Sequence, residues 1–203
     1  SKLIKVETIS SRMEKNVTKF LAFHEVLRET FPNFFNTIEC EEFDGSLLLK
    51  WKGTDSSLKP IALMNHHDVV EASGEWTYPA FSGEIADNKV WGRGTLDTKG
   101  GLAMMLQAAE ELLAEGYAFE GINLYIGSSN NEEVCGDGMV LAADYFRKNG
   151  IRFYAVVDEG GAITEGQIPG VSCKSAVVAV HEKSRHLYRC TVKEQTQGHG
   201  GLN

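Results

Sequence analysis

Three stretches of this chain place metal-ligand side chains directly after apolar runs. Asn65-His66-His67-Asp68 follows Ile61–Met64, the polar run ending in Asn131-Glu132-Glu133 follows Ile122–Ile126, and Asp158-Glu159-Gly160-Gly161 follows Phe153–Val157. A fourth carboxylate, Asp97, stands in Gly92-Arg93-Gly94-Thr95-Leu96-Asp97-Thr98-Lys99-Gly100-Gly101. Imidazole with carboxylates is a donor set for Zn²⁺ or a related divalent cation, and a carboxylate left free beside it can move a proton. His66 and Asp68 lie at i and i+2, so on extended backbone they point to one side, which suits a ligand and the carboxylate that fixes its tautomer. Each piece alone has a plainer explanation. An isolated His-x-Asp is usually an ordinary strand end, Asp97 could cap the helix that follows it, paired glutamates are common on solvated loops, and Asp-Glu-Gly-Gly makes a serviceable turn. Their joint placement is harder to dismiss, because so many carboxylates at one edge repel unless a cation neutralises them.

The elements needed to position these residues can be read from periodicity. Ser11-x-x-Glu14 resembles a capping box, and Met13, Val17, Phe20, Leu21, Phe23 and Leu27 continue it as a helical apolar face that Pro32 ends. Asp44-Gly45 predicts a hairpin turn and Asp87-Asn88 a second small one. A helix is expected from Thr98 to about Glu115, stopped by Gly116, and another over Met139–Lys148. Alternation of apolar runs with these helices predicts an α/β domain with a largely parallel sheet. In such a sheet ligands bind beyond the carboxyl ends of the strands, where all three acidic loops would open. Near Ser175 the pattern changes: Val177–Val180 and Leu187–Val192 read as strands with no helix between them. The expected organisation is a first domain over 1–178 and the start of a second over 179–203.

Composition removes several function classes. The 203 residues are 42% hydrophobic and 24% charged, with a formal net charge of −8. Such an acidic chain without a basic cluster is a poor match for nucleic acid or an anionic membrane surface, and no apolar run is long enough to span a bilayer. Four scattered cysteines without a CxxC pair, and an opening segment without an apolar signal core, lead to the expectation of reduced thiols and a cytoplasmic location. Cys135, close to the glutamate pair, is a minor candidate for metal binding.

Taken in order, Asn65-His66-His67-Asp68-Val69-Val70, then Trp76 with Pro79-Ala80-Phe81-Ser82-Gly83, then Trp91-Gly92-Arg93-Gly94-Thr95-Leu96-Asp97-Thr98-Lys99-Gly100 resemble the di-zinc hydrolase family. That family contains acetylornithine deacetylase, succinyl-diaminopimelate desuccinylase, aminoacylase and carboxypeptidases, and the stretch from Gly45 to Gly161 is most similar to its carboxypeptidase S branch. The resemblance implies a three-layer α/β/α zinc-peptidase domain with a largely parallel or mixed sheet, here truncated, followed by the beginning of a lid or dimerisation domain. It implies that His66 and Asp158 ligate one zinc, Glu133 the second, and Asp97 both, with a cis peptide at Asp97–Thr98. Asp68 would orient His66, and Glu132 would act as general base. Mn²⁺ or Co²⁺ could replace Zn²⁺. His199, in Gly198-His199-Gly200-Gly201, resembles a lid histidine that stabilises the oxyanion in the site of a dimer partner; a flexible glycine-rich tail is the alternative reading. His24, His67, His181 and His186 read as surface or satisfied structural histidines. Two departures stand out: Asn131 replaces the family's usual Asp, and the chain stops at Asn203, before the expected last histidine ligand. The implied activity is hydrolysis of a small peptide or an N-acyl amino acid, of carboxypeptidase or dipeptidase type, with homodimerisation through the lid. A deacylase, or a non-catalytic fragment or assembly module, is the alternative. On this reading one metal site has three protein ligands and the other two, so unequal affinities and little turnover by this chain alone are expected.

Overall fold

The computed structural model describes residues 1–118, 120–160, 163–180 and 188–191. A short 3₁₀ turn, Lys2–Lys5, precedes helices α1 (Thr18–Thr30) and α2 (Pro32–Thr37). Strands β1 (Glu39–Phe43), β2 (Ser46–Trp51), β3 (Ile61–His66), β4 (Glu84–Ala86) and β5 (Lys89–Trp91) follow, then helix α3 (Lys99–Ala114). Strand β6 (Leu124–Ser129), helix α4 (Gly138–Lys148) and strands β7 (Ala155–Val157), β8 (Ile163–Glu165) and β9 (Lys174–Ala176) complete the order. The chain divides into two compact units, Ser1–Glu159 and Gly160–Asn203.

The first unit holds a mixed five-stranded sheet in the order β1-β2-β6-β3-β7. Strands β3, β6 and β7 run parallel, with His66 opposite Ser129 and Leu63 opposite Val157, while β2 pairs antiparallel with both β1 and β6. The parallel trio sends the loops after His66, Ser129 and Val157 out of one edge, as the sequence predicts. Helices cover both faces. Leu47, Leu49 and Ile126 face Phe23 and Leu27 of α1 and Leu106 of α3; Leu48, Ala62 and Tyr125 face Tyr145 and Phe146 of α4. Each fully buried side chain of this size contributes about 2 kcal/mol through removal from water. Because α1, α2 and α3 crowd one face and α4 the other, β2 is apolar at consecutive positions rather than alternate ones.

Both predicted hairpins form. Asp44 and Gly45 adopt left-handed backbone (φ +50° and +91°), the conformation a two-residue hairpin turn requires, and β4 and β5 join through Asp87 and Asn88. One expected start is wrong. The helix predicted from Ser11 begins only at Thr18, where the Asn16 Oδ1 accepts the Thr18 N–H at 2.9 Å. The Ser11 Oγ instead accepts the Met13 N–H at 3.3 Å, and Met13 is exposed. Residues 3–12 are drawn away into contacts with three other segments, and that tertiary pairing overrides the local capping signal. Helix α2, which has no side-chain cap of its own, is capped by α3: Glu110 accepts the N–H groups of Asn33 and Phe34 at 3.0 and 2.7 Å.

In the second unit β8 and β9 pair antiparallel. Val177–Val180 carry no strand, nor do Tyr188 to Thr191; Leu187 and Val192 lie outside the described residues. The boundary expected at 178 falls inside this unit. No helix among the described residues is long and apolar enough to cross a membrane.

Candidate metal centre

At the carboxyl edge of the parallel trio, buried His66 is held from both ring nitrogens. Its Nδ1 lies 3.0 Å from the Asp68 carbonyl and 3.3 Å from Asp68 Oδ1, both acceptors, so Nδ1 carries the proton. Its Nε2 faces outward, 2.9 Å from Asp97 Oδ1, 3.3 Å from Glu159 Oε1 and 4.0 Å from Glu132 Oε2. Asp68, fully buried, also accepts the Glu132 N–H on Oδ1 and the Glu133 N–H on Oδ2, each at 3.1 Å. One carboxylate thus locks the histidine and the glutamate loop together. Asp97 is placed by its neighbour Thr98. Thr98 Oγ1 donates to the His66 carbonyl at 2.9 Å, and the Thr98 carbonyl accepts from Asn65 Nδ2 at 3.0 Å. The Asp97–Thr98 peptide bond is cis.

The charges at this edge ask for a cation. Burial and then the Asp97 charge push the Glu133 carboxyl above its usual range, and burial followed by neighbouring carboxylates does the same to Glu159. On His66, burial opposes protonation, but the Asp68 hydrogen bond and the Glu159 and Asp68 charges outweigh it and raise the imidazole to about 10. The same negative field that retains a proton on Nε2 favours a metal ion in its place. His66, Asp97 and Glu159 each offer a ligand atom within 4.8 Å of the others, and they are the one such group of three among the described residues. One imidazole with two carboxylates, the imidazole backed by a buried aspartate, is a donor set that fits a divalent transition cation.

The sequence profile of peptidase family M20/M25/M40 matches residues 62–199, more than half of the chain. The chain belongs to this family. Members similar in sequence include a Dictyostelium discoideum protein named "Probable carboxypeptidase S-like 2", 38% identical over 86% of this chain. Another is the N-fatty-acyl-amino acid synthase/hydrolase PM20D1 of Xenopus tropicalis, 36% identical over 98% of this chain. The chain spans only 34% and 40% of the lengths of these two relatives. Among solved structures, human carnosine dipeptidase 1 superposes with a TM-score of 0.64 at 16% identity, covering 80% of this chain and 38% of that one. An M20 family metallo-carboxypeptidase of Sulfolobus solfataricus gives 0.61 at 21%, covering 79% and 36%. These likenesses establish the M20-type α/β fold for the described sheet.

Within this M20/M25/M40 chain, His66, Asp68, Asp97 and Glu132 converge as a set. Glu133 is tied to the set through its N–H and feels the charge of Asp97, but its carboxylate is not in the group of three. Asp158 is exposed and its Oδ1 accepts the Glu159 N–H at 2.9 Å, while Glu159 brings its carboxylate to His66. Glu159 carries no separate signal in the sequence beyond adjacency to Asp158. His199 lies outside the described residues. Asn131, where the family's aspartate usually stands, accepts the Gly138 N–H at 3.1 Å and helps start α4. Lys99 escaped the sequence reading: it is fully buried at the start of α3, where burial lowers it to about 7 against the opposing pull of Asp68. His24 and His67 are both buried with partnered Nδ1 atoms, to Glu42 and Ser128, while their Nε2 atoms lack hydrogen bonds.

Proposed function

We propose that this chain carries part of the active site of a metal-dependent amide hydrolase that cleaves a small peptide or an N-acyl amino acid, in the manner of a carboxypeptidase or dipeptidase. The observation that carries the reading is His66 Nε2 facing Asp97, Glu159 and Glu132 while Asp68 holds the opposite nitrogen. His66 and Asp97 would hold the cation, with Glu159 or its neighbour Asp158 as third ligand and Glu133 reserved for a second ion shared with Asp97. Zn²⁺ suits this donor set, with Mn²⁺ or Co²⁺ as substitutes. When bound, such an ion supplies Lewis acidity toward a carbonyl and acidifies water. Glu132 is within reach to take a proton from the attacking water and deliver it to the departing amine nitrogen. Asp68 keeps His66 in one tautomer and, through the Glu132 N–H, fixes the base relative to the ligands.

The names of the two sequence relatives support two substrate classes, peptides with a free carboxyl end and fatty-acyl amino acids; both present an amide next to an amino-acid carboxylate. Deacylation is therefore the second reading, and a non-catalytic fragment the third. The test is zinc content of the purified chain by elemental analysis, beside Asp97→Ala. About one zinc per chain, lost in the variant, sustains the proposal; folded protein that takes up no zinc from excess sinks it. Hydrolysis of a dipeptide against an N-acyl amino acid by a form carrying the remaining length of the relatives then separates the first two readings.

A further inference from the structure

One stretch of chain that the proposed reaction does not use, residues 3–12, touches three of the four segments bearing candidate ligands, all but the Asp158-Glu159 turn. Lys99, two positions beyond Asp97, donates from Nζ to the carbonyls of Leu3 and Val6 at 3.2 and 2.7 Å, with Nζ 5.0 Å from the centroid of the Phe23 ring. Thr8 Oγ1 donates to the His67 carbonyl. The Val69 N–H donates to the Thr8 carbonyl at 3.0 Å and the Ser10 N–H to the Val69 carbonyl at 3.1 Å. Both neighbours of Asp68 are thereby paired to this stretch. Arg12 Nε then donates to the Val134 carbonyl at 2.8 Å, one residue beyond Glu133. In chain order, the stretch meets the Asp97 segment, the His66–Asp68 segment and the glutamate loop in turn.

The sheet by itself does not fix these segments relative to each other. Strand register sets His66 against Ser129, but Asp97 stands on a connection outside the sheet and the two glutamates lie past the end of β6. Packing alone is also a poor account of Lys99. A desolvated ammonium at a helix N-terminus faces the unfavourable end of the helix dipole, and an apolar side chain of similar length would fill the space at lower cost. What an apolar side chain could not do is hold two carbonyls of residues 3–12.

We infer that residues 3–12 form a strap that sets three of the four ligand-bearing segments, those of Asp97, His66–Asp68 and the glutamate pair, in register, with Lys99 and Arg12 as positioning residues at its two ends. The inference rests on the metal-site reading, since the ligands are what the strap positions. The test uses the chain as it is, comparing wild type with Arg12→Ala, Arg12→Lys and Lys99→Met by two measurements. The first is residue-resolved amide exchange in the metal-free protein, the second zinc affinity by competition with a chromophoric chelator. Arg12 is exposed in its bond, so its variants fold even where Lys99→Met does not. In Arg12→Ala the Glu132 and Glu133 amides exchange about fivefold faster, the range of one modest hydrogen bond, while the β2 and β6 amides are unchanged. Lys99→Met does the same at the Val69 amide. Zinc affinity falls about tenfold in both, as for loss of an outer support of a metal site, and Arg12→Lys restores part of it. Wild-type exchange at these amides, or wild-type zinc affinity despite faster exchange, overturns the strap. If the wild-type chain binds no zinc but the exchange pattern appears, the strap stands and the metal reading falls.

Discussion

Asp68 receives the N–H groups of Glu132 and Glu133 on separate oxygens while Oδ1 also faces His66 Nδ1. An amide cannot replace it, because either orientation of Asn sets an NH₂ against a backbone N–H donor. Asp68→Asn is expected to leave the fold in place and weaken zinc binding by about 10- to 100-fold, read by chelator competition; unchanged affinity would remove Asp68 from the site. A second prediction concerns the adjacent acids after β7. With Glu159 beside His66 and Asp158 exposed, Glu159→Gln should weaken zinc binding by about tenfold or more, and Asp158→Asn by much less. The opposite order, measured in the same titration, would show that Asp158 swings in when the ion binds. The neighbourhood of His66 and Asp68 was legible because both emerge at the end of β3, whereas Asp97 stands on a connection outside the sheet and only the resemblance pointed to it as a ligand. The choice between two neighbouring carboxylates on a turn is made by local backbone direction, which residue types do not encode. Lys99 was hidden for another reason: nothing in a Lys opening an apolar helix announces that its ammonium reaches carbonyls some ninety positions away.

Helix α3 must begin hard against the loop that carries Asp97. A Cβ on Gly100 would stand 2.1 Å from the Thr95 carbonyl oxygen, a backbone atom with no side-chain freedom to retreat. Gly100→Ala should therefore destabilise the chain by about 2 kcal/mol or more, seen as a lower urea midpoint, and should displace Asp97 enough to cost zinc affinity. A midpoint matching wild type would mean that the loop yields freely. Among the elements, both hairpins and α3 were readable because turn residues and helix periodicity agree with the final fold. The start of α1 was not. Ser11-x-x-Glu14 carries a local capping pattern, but residues 3–12 gain long-range partners at Lys99, Val69 and Val134. Strand β6 was expected over Ile122–Ile126 and runs Leu124–Ser129, because its pairing with β3 carries it to the level of His66.

Across the molecule, the mixed sheet covered on both faces is the part of the fold that sequence order made plain, since alternating strands and helices admit few other layers. Global stability should depend on pH through His24, a buried residue of α1 whose Nδ1 lies 3.2 Å from Glu42 Oε2 on β1. Burial lowers its basicity below the usual 6.5, with the neighbouring Glu42 charge opposing and Arg28 assisting. Below about pH 6.5 the unfolded chain takes up a proton that the folded chain refuses, so stability falls with acid until the pH reaches the lowered folded value. The slope from this group is at most about 1.4 kcal/mol per pH unit. Urea midpoints at pH 7.5 and 5.5 should drop more for wild type than for His24→Asn; equal drops would exclude His24 as the source.

Strand β2 has one further consequence. Five of its six residues, Ser46 to Leu49 and Trp51, are buried, and its two faces belong to different cores. In a saturation scan scored by soluble yield, this stretch should give a nearly solid block of intolerance, where the neighbouring β1, exposed at four of its five positions, should accept most substitutions. Sequence drift in the family should be slow there for reasons unconnected with catalysis. Affinity handles or fluorescent labels belong instead at the exposed Asp87-Asn88 corner, which lies outside the five-stranded sheet.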